Sequence, residues 1–174
     1  MNRRSILQAL AAVGALQLLP GCTRAADAPR ASSPARSHAL NRPHDYWRDK
    51  VGPAAFAVLF NENTERAGSS PLDKEHRPGT FVCAACHQPL FASEHKFDSG
   101  TGWPSFTQPI AGSIGTRRDF KMILPRTEYH CARCGGHQGH VFKDGPPPRG
   151  ERWCNNGVAL RFVGRGEPLP ALRG

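Results

Sequence analysis

The chain has 174 residues, a formal charge of +9, 39% hydrophobic residues, 18 glycines and 16 prolines. That length accommodates one ordinary domain with extensions, and so much glycine and proline argues against a long helical bundle. The basic residues are scattered, with no Lys/Arg run of five, which favours a solvated basic surface and no nucleic-acid partner.

Residues 1–22 read as an export leader. Arg3-Arg4 precede an apolar stretch from Ile6 to Leu19, which is too short to span a bilayer comfortably. Paired arginines with an apolar residue at this offset look like a twin-arginine signal, so the protein is expected in the periplasm. Leu19-Pro20-Gly21-Cys22 is similar to a lipoprotein cleavage box, with Pro20 out of pattern. Two outcomes stay open, a lipid anchor on Cys22 or simple release. Residues 23–43 are rich in Ala, Ser, Pro and Arg and read as a flexible linker. An ordered domain is expected over residues 44–164, with a frayed tail over 165–174.

Within that domain, apolar residues recur at helical spacing from Asp45 to Phe60, predicting a short N-terminal helical segment. Strands are expected at Gly79–Cys83, Phe120–Leu124, Thr127–Cys131, Gly139–Lys143 and Val158–Val163, the last alternating most clearly. The fold class is therefore mainly β, with small antiparallel sheets.

Six cysteines sort themselves by spacing. Cys83-Ala84-Ala85-Cys86 and Cys131-Ala132-Arg133-Cys134 form two Cys-x-x-Cys pairs. Two such turns complete a tetrahedral four-sulfur shell for one structural Zn²⁺, with no position left for substrate. An exported protein also permits the rival reading, redox-active pairs that form disulfides. With Cys22 in the leader, Cys154 in Arg152-Trp153-Cys154-Asn155-Asn156 is left over. A lone thiol with His137 and His140 nearby in sequence is the composition of a nucleophile with acid–base partners. Taken singly, each has a blander explanation, because a lone cysteine on a strand is more often an inert core thiol.

Three longer segments occur together. Phe97-Asp98-Ser99-Gly100-Thr101-Gly102-Trp103-Pro104-Ser105-Phe106, Cys131 to Phe142, and Arg152 to Asn156 resemble the signatures of the R-epimer-specific methionine sulfoxide reductases, MsrB. Thr64-Glu65-Arg66 is similar to the motif that opens that family's domain. The resemblance covers about 100 residues in the expected order and implies the MsrB fold pinned by the four-cysteine zinc site. It makes Cys154 the nucleophile, becoming a sulfenic acid as methionine leaves. It assigns His137, His140 and Asn156 to binding and protonating the sulfoxide oxygen. It also assigns Trp103 to the methyl pocket, with Phe106 and Arg152 also binding substrate. Arg152 is expected to help lower the thiol pKa.

Many MsrB proteins carry a second, resolving cysteine where this chain has Thr101. A one-cysteine cycle is therefore expected, with a thioredoxin-like donor reducing the sulfenic acid of a monomeric enzyme. Its substrates would be oxidised proteins. Gly157 stands where the family often has serine, and a small effect on the pocket is expected there. Two other classes stay open, a zinc-ribbon binding module and a thiol redox sensor without turnover.

Overall fold

The computed structural model describes residues 40–122 and 124–174. The export leader, Cys22 and the linker as far as residue 39 lie outside the described residues. The expected helix is broken in two, a 3-10 turn at His44–Trp47 and helix α1 at Pro53–Asn61. The break comes at Gly52-Pro53. A residue before proline is pushed out of the α region, and Gly52 is extended, with φ −65° and ψ 162°. Pro53 suits the first helical position, where an N–H would have no partner. Phe56, Val58, Leu59 and Phe60 are buried, and Trp47 stacks on Phe60 at 5.9 Å.

The remaining core is β. Strands β1 (Gly79–Cys83), β2 (Pro89–Ala92), β3 (Lys96–Phe97), β4 (Ser105–Phe106) and β5 (Ile114–Asp119) come first. They are followed by β6 (Arg126–Cys131), β7 (His137–Phe142), β8 (Arg152–Asn155) and β9 (Leu160–Gly164). Every pairing is antiparallel, in a three-stranded sheet β2-β1-β9 and a six-stranded sheet β3-β4-β8-β7-β6-β5. The two sheets meet on aromatic rings. Phe106 of β4 stacks on Phe91 of β2 at 4.1 Å and meets Phe81 of β1 edge-on at 5.0 Å. Offset and edge-on ring pairs of this kind add about 0.5–1.5 kcal/mol each beyond their burial.

Two expectations are corrected here. The described residues of Phe120–Leu124 form no strand. The backbone N–H of Lys121 donates to Asp119 Oδ1 at 2.9 Å, a local turn that ends β5. Pro125 then lacks a donor for any ladder. The real strand, Ile114–Asp119, is hidden in the sequence because Gly115, Arg117 and Arg118 interrupt any apolar alternation. The tail is not frayed either. The N–H of Arg173 donates to Cys86 O at 3.0 Å, His87 Nδ1 lies 2.9 Å from Ala171 O, and Arg133 Nη1 donates to Arg173 O at 2.7 Å. Residues after β9 thus return to cover the first Cys-x-x-Cys turn. On the other side, the Leu40 N–H donates to Arg133 O at 3.0 Å, so packing begins within the expected linker.

Candidate active site and metal centre

The two Cys-x-x-Cys turns follow the ends of β1 and β6, one from each sheet. Their four sulfurs lie within 4.8 Å of one another, with Cys83–Cys134 at 3.7 Å and Cys86–Cys131 at 3.6 Å. A tetrahedral ion with metal–sulfur bonds of about 2.3 Å needs sulfur–sulfur edges of about 3.8 Å. A disulfide needs about 2.05 Å. These buried thiols therefore fit a metal ion and not the redox pairs of the rival reading. An ion held there ties the three-stranded sheet to the six-stranded one.

Cys154 lies in the six-stranded sheet, in β8, between Ser105 of β4 and His140 of β7. It is half-buried and borders a cavity of about 130 Å³ together with Thr64, Trp103, Arg126, His140, Phe142 and Asn156. Gly139 makes this possible: a Cβ there would come within 1.9 Å of the Cys154 carbonyl oxygen. Arg152 donates through Nε and Nη2 to both Asp144 oxygens at 2.9 Å, and its guanidinium sits 4.4 Å from the Phe142 ring centre. Burial pushes the Cys154 thiol above the ordinary cysteine range. The Arg152 charge and the Thr101 hydroxyl pull it down, and burial wins. Arg152 acts in the expected direction, against the larger effect of burial.

Each histidine has its own carboxylate. His137 Nδ1 lies 2.7 Å from Glu128 Oε1, and both side chains are almost fully buried. Arg117 in turn bridges Glu128 and Glu62. His140 Nε2 lies 2.8 Å from Asp119 Oδ2, which Arg126 also contacts at 2.7 Å. The Lys121 backbone N–H, His140 and Arg126 hold Asp119 well below the usual carboxylate range. Burial lowers both imidazoles, His137 to about 4. Both rings are thus neutral at pH 7, each offering its N–H to a carboxylate. His137 Nε2 is buried without a hydrogen-bond partner among the described residues.

The two rings stand 5.4 Å apart, edge to face. Only His140 borders the Cys154 cavity. His137 lines an adjoining cleft of about 350 Å³, which shares Thr64, Arg126 and His140 with that cavity.

Glu65 organises the remaining wall. Its carboxylate accepts from the Gly157 and Val158 N–H groups, its carbonyl accepts from Trp103 Nε1 at 3.2 Å, and its N–H donates to Asn156 Oδ1 at 3.0 Å. Asn156 Nδ2 donates to Gln138 O at 3.0 Å. The Asn156 amide is therefore largely committed to backbone, with a single Nδ2 hydrogen left over. Trp103 presents its half-buried indole as an apolar wall beside Phe142. Phe106, expected at the substrate, is instead fully buried between Phe81 and Phe91, so its place is in the core. Gly157 is more constrained than expected. A Cβ there would meet Ser70 Oγ at 2.0 Å, so a serine needs Ser70 to move.

Sequence reasoning missed Glu128, Asp119, Arg117, Arg126 and Glu62 around the histidines. The one available signal is Glu128, a carboxylate in β6 next to the core residue Tyr129. A buried chain of hydrogen bonds is equally invisible in the sequence. Tyr129 O–H donates to Asn155 Oδ1 at 2.8 Å, Asn155 Nδ2 to Gln138 Oε1 at 3.2 Å, and Gln138 Nε2 to Cys83 Sγ at 3.5 Å. It links Asn155, the neighbour of Cys154, to a thiol of the four-cysteine centre.

Comparison with known proteins agrees with this arrangement. The SelR domain family matches residues 51–164. A peptide methionine sulfoxide reductase MsrB of Bradyrhizobium diazoefficiens is 50% identical over 119 residues, 68% of this chain and 86% of the relative. The MsrB of Agrobacterium fabrum is 44% identical, covering 71% of this chain and 92% of its own. That of Leptospira interrogans is 42% identical, covering 72% and 97%. Motifs, fold and relatives converge, and the chain belongs to the MsrB family of SelR-domain proteins.

Proposed function

We propose that this protein reduces methionine-R-sulfoxide in oxidised proteins, with Cys154 as the nucleophile. The observation that carries the reading is the half-buried Cys154 thiol in a small cavity walled by Trp103 and Phe142 on its apolar side and His140 on its polar side. The sulfoxide methyl rests against the apolar wall, and the oxygen faces His140 and the remaining Asn156 hydrogen. R-selectivity follows the family resemblance.

The proton balance suits the resting state of the site. Cys154 enters as a thiol because burial outweighs Arg152, and the imidazoles enter neutral. As the sulfur attacks the sulfoxide sulfur, the thiol proton passes to the neighbouring imidazole and on to the oxide. The sulfur–oxygen bond of the substrate breaks, the oxygen ends on Cys154 as a sulfenic acid, and the thioether leaves. One thiol and one sulfoxide yield one sulfenic acid and one thioether, with no further proton needed. Positioned proton transfer contributes about 10²–10⁴ in rate. Glu128 and Asp119 hold the two rings in one tautomer and stabilise the transient imidazolium.

Two external thiols then regenerate Cys154, forming a disulfide and water. A thioredoxin-like donor in a one-cysteine cycle follows from Thr101 at the usual resolving position. The four-thiol centre holds Zn²⁺ in a structural role, supported by donor chemistry and sulfur spacing. The leader at residues 1–22 directs export of a monomer to the periplasm by the twin-arginine route, ending either in a lipid anchor on Cys22 or in simple release.

The test uses the protein without its leader and a blocked methionine sulfoxide as separate R and S epimers, with dithiothreitol as reductant. Turnover of the R epimer alone, lost in Cys154→Ser, is expected. A zinc-loaded, folded sample inactive on both epimers would remove the reductase reading.

A further inference from the structure

The loop between β5 and β6 carries three large apolar side chains in water. Phe120 is 73% exposed, Met122 59% and Leu124 77%. Among the described residues only Leu169 and Leu172, in the tail, are comparable. Three such side chains at one hairpin tip form a patch of the kind that marks an interaction site. The base of the tip is not loose. Asp119 accepts from the Lys121 N–H, and Lys121 Nζ pairs with Glu62. The apolar side chains are thus presented from an anchored turn.

Phe120 joins the tip to the site. Phe120 lines the same cleft as His137 and His140, and that cleft shares Thr64, Arg126 and His140 with the Cys154 cavity. A cavity of about 130 Å³ suits one side chain, so the polypeptide bearing it must leave along the cleft. The cleft walls are charged, with Glu62, Arg117, Arg118 and Lys121. The apolar side chain among them is Phe120, with Met122 and Leu124 exposed further along the same loop. Methionines in proteins sit among apolar neighbours, so a segment delivering an oxidised one carries apolar side chains with it.

Resting on the reductase reading above, we propose that the Phe120–Met122–Leu124 tip docks apolar residues flanking the sulfoxide in an extended polypeptide. It thereby raises kcat/KM for sulfoxides flanked by apolar side chains.

The experiment compares two R-sulfoxide peptides, one flanked by leucine and phenylalanine and one by serine and glycine, with the blocked amino acid as baseline. The wild-type protein is expected to favour the apolar peptide by about tenfold in kcat/KM, the scale of one or two partly buried apolar side chains. Met122→Ser/Leu124→Ser is expected to erase that preference through KM, leaving kcat and turnover of the blocked amino acid unchanged. A preference that survives in the variant overturns the inference. So does a variant that changes only oligomeric state by light scattering, which assigns the tip to a second copy. A variant slowed only when thioredoxin replaces dithiothreitol also overturns it, assigning the tip to the reductant. Failure of the wild type on the blocked amino acid would instead remove the reductase reading, and this inference with it.

Discussion

Two regions of this molecule use the same side chain to opposite ends. At the four-thiol centre, Cys83, Cys86, Cys131 and Cys134 are buried and held within 4.8 Å of one another. At the catalytic cleft, Cys154 stands half-buried among a guanidinium, an imidazole and an indole. Identity of the residue therefore decides little. Four converging thiols bind an ion and become inert, whereas one thiol beside proton acceptors and a small void becomes a reagent. The two regions also touch, through the buried Tyr129–Asn155–Gln138–Cys83 chain.

The sharpest way to break this contrast is to exchange the losses. Cys154→Ser is expected to lower turnover by at least about 10³-fold, with unchanged circular dichroism and metal content. Cys83→Ser is expected to do the reverse first: metal content and the thermal transition collapse, because a structural ion such as zinc supplies folding energy of about 10 kcal/mol or more. A Cys83→Ser protein that keeps its metal and its transition would show that the tetrathiolate does not clamp the sheets.

Glu128→Gln tests whether the catalytic region depends on charge placed behind a histidine. The amide still accepts from His137 but no longer stabilises an imidazolium, and kcat should fall about 10–100-fold with KM nearly constant. The pH profile should shift as well, which a purely structural role would not cause.

The pH dependence sharpens the assignment for Cys154. Burial raises its pKa, so the thiolate fraction is small at pH 7 and grows as pH rises. Iodoacetamide labelling should therefore still be accelerating above about pH 8.5, the ordinary cysteine value. Arg152→Gln removes the opposing charge and should move the profile further up. A profile levelling below about pH 7 would show that Arg152, not burial, dominates.

The smallest effect belongs to Gly157. Gly157→Ser places a Cβ against Ser70 Oγ, and overpacking of this kind costs about 1–3 kcal/mol. A lowered thermal midpoint, recovered in Gly157→Ser/Ser70→Gly, is the expected signature.

Legibility differs between the regions for a physical reason. Cys-x-x-Cys is a local chelate, complete within four residues, so spacing alone announces the metal set. β1, β6 and β9 are readable because they run apolar or alternate over five or six residues. β5 is not, since one of its faces carries Arg117 toward Glu128 and Glu62 rather than apolar side chains. The helix is placed roughly by its apolar spacing and split by a single proline. Phe106 reads as substrate-binding because it lies in one motif with Trp103, yet strand pleating sends it into the aromatic core.

The sequence by itself determined the metal-binding cysteines, the odd thiol, the β-rich class and, through ordered motifs, the family. Tertiary structure alone decided that burial outweighs Arg152 at Cys154, that His137 and His140 each have a carboxylate, and that Asn156 is bound largely to backbone. It also placed Phe120 at the margin of the cleft and left Met122 and Leu124 exposed on the same loop. These features depend on tertiary packing that joins residues tens of positions apart, such as Glu62 with Arg117 and Glu65 with Asn156. No local spacing encodes such pairs, because their distances are set by how the helix and the loop after it pack on the six-stranded sheet.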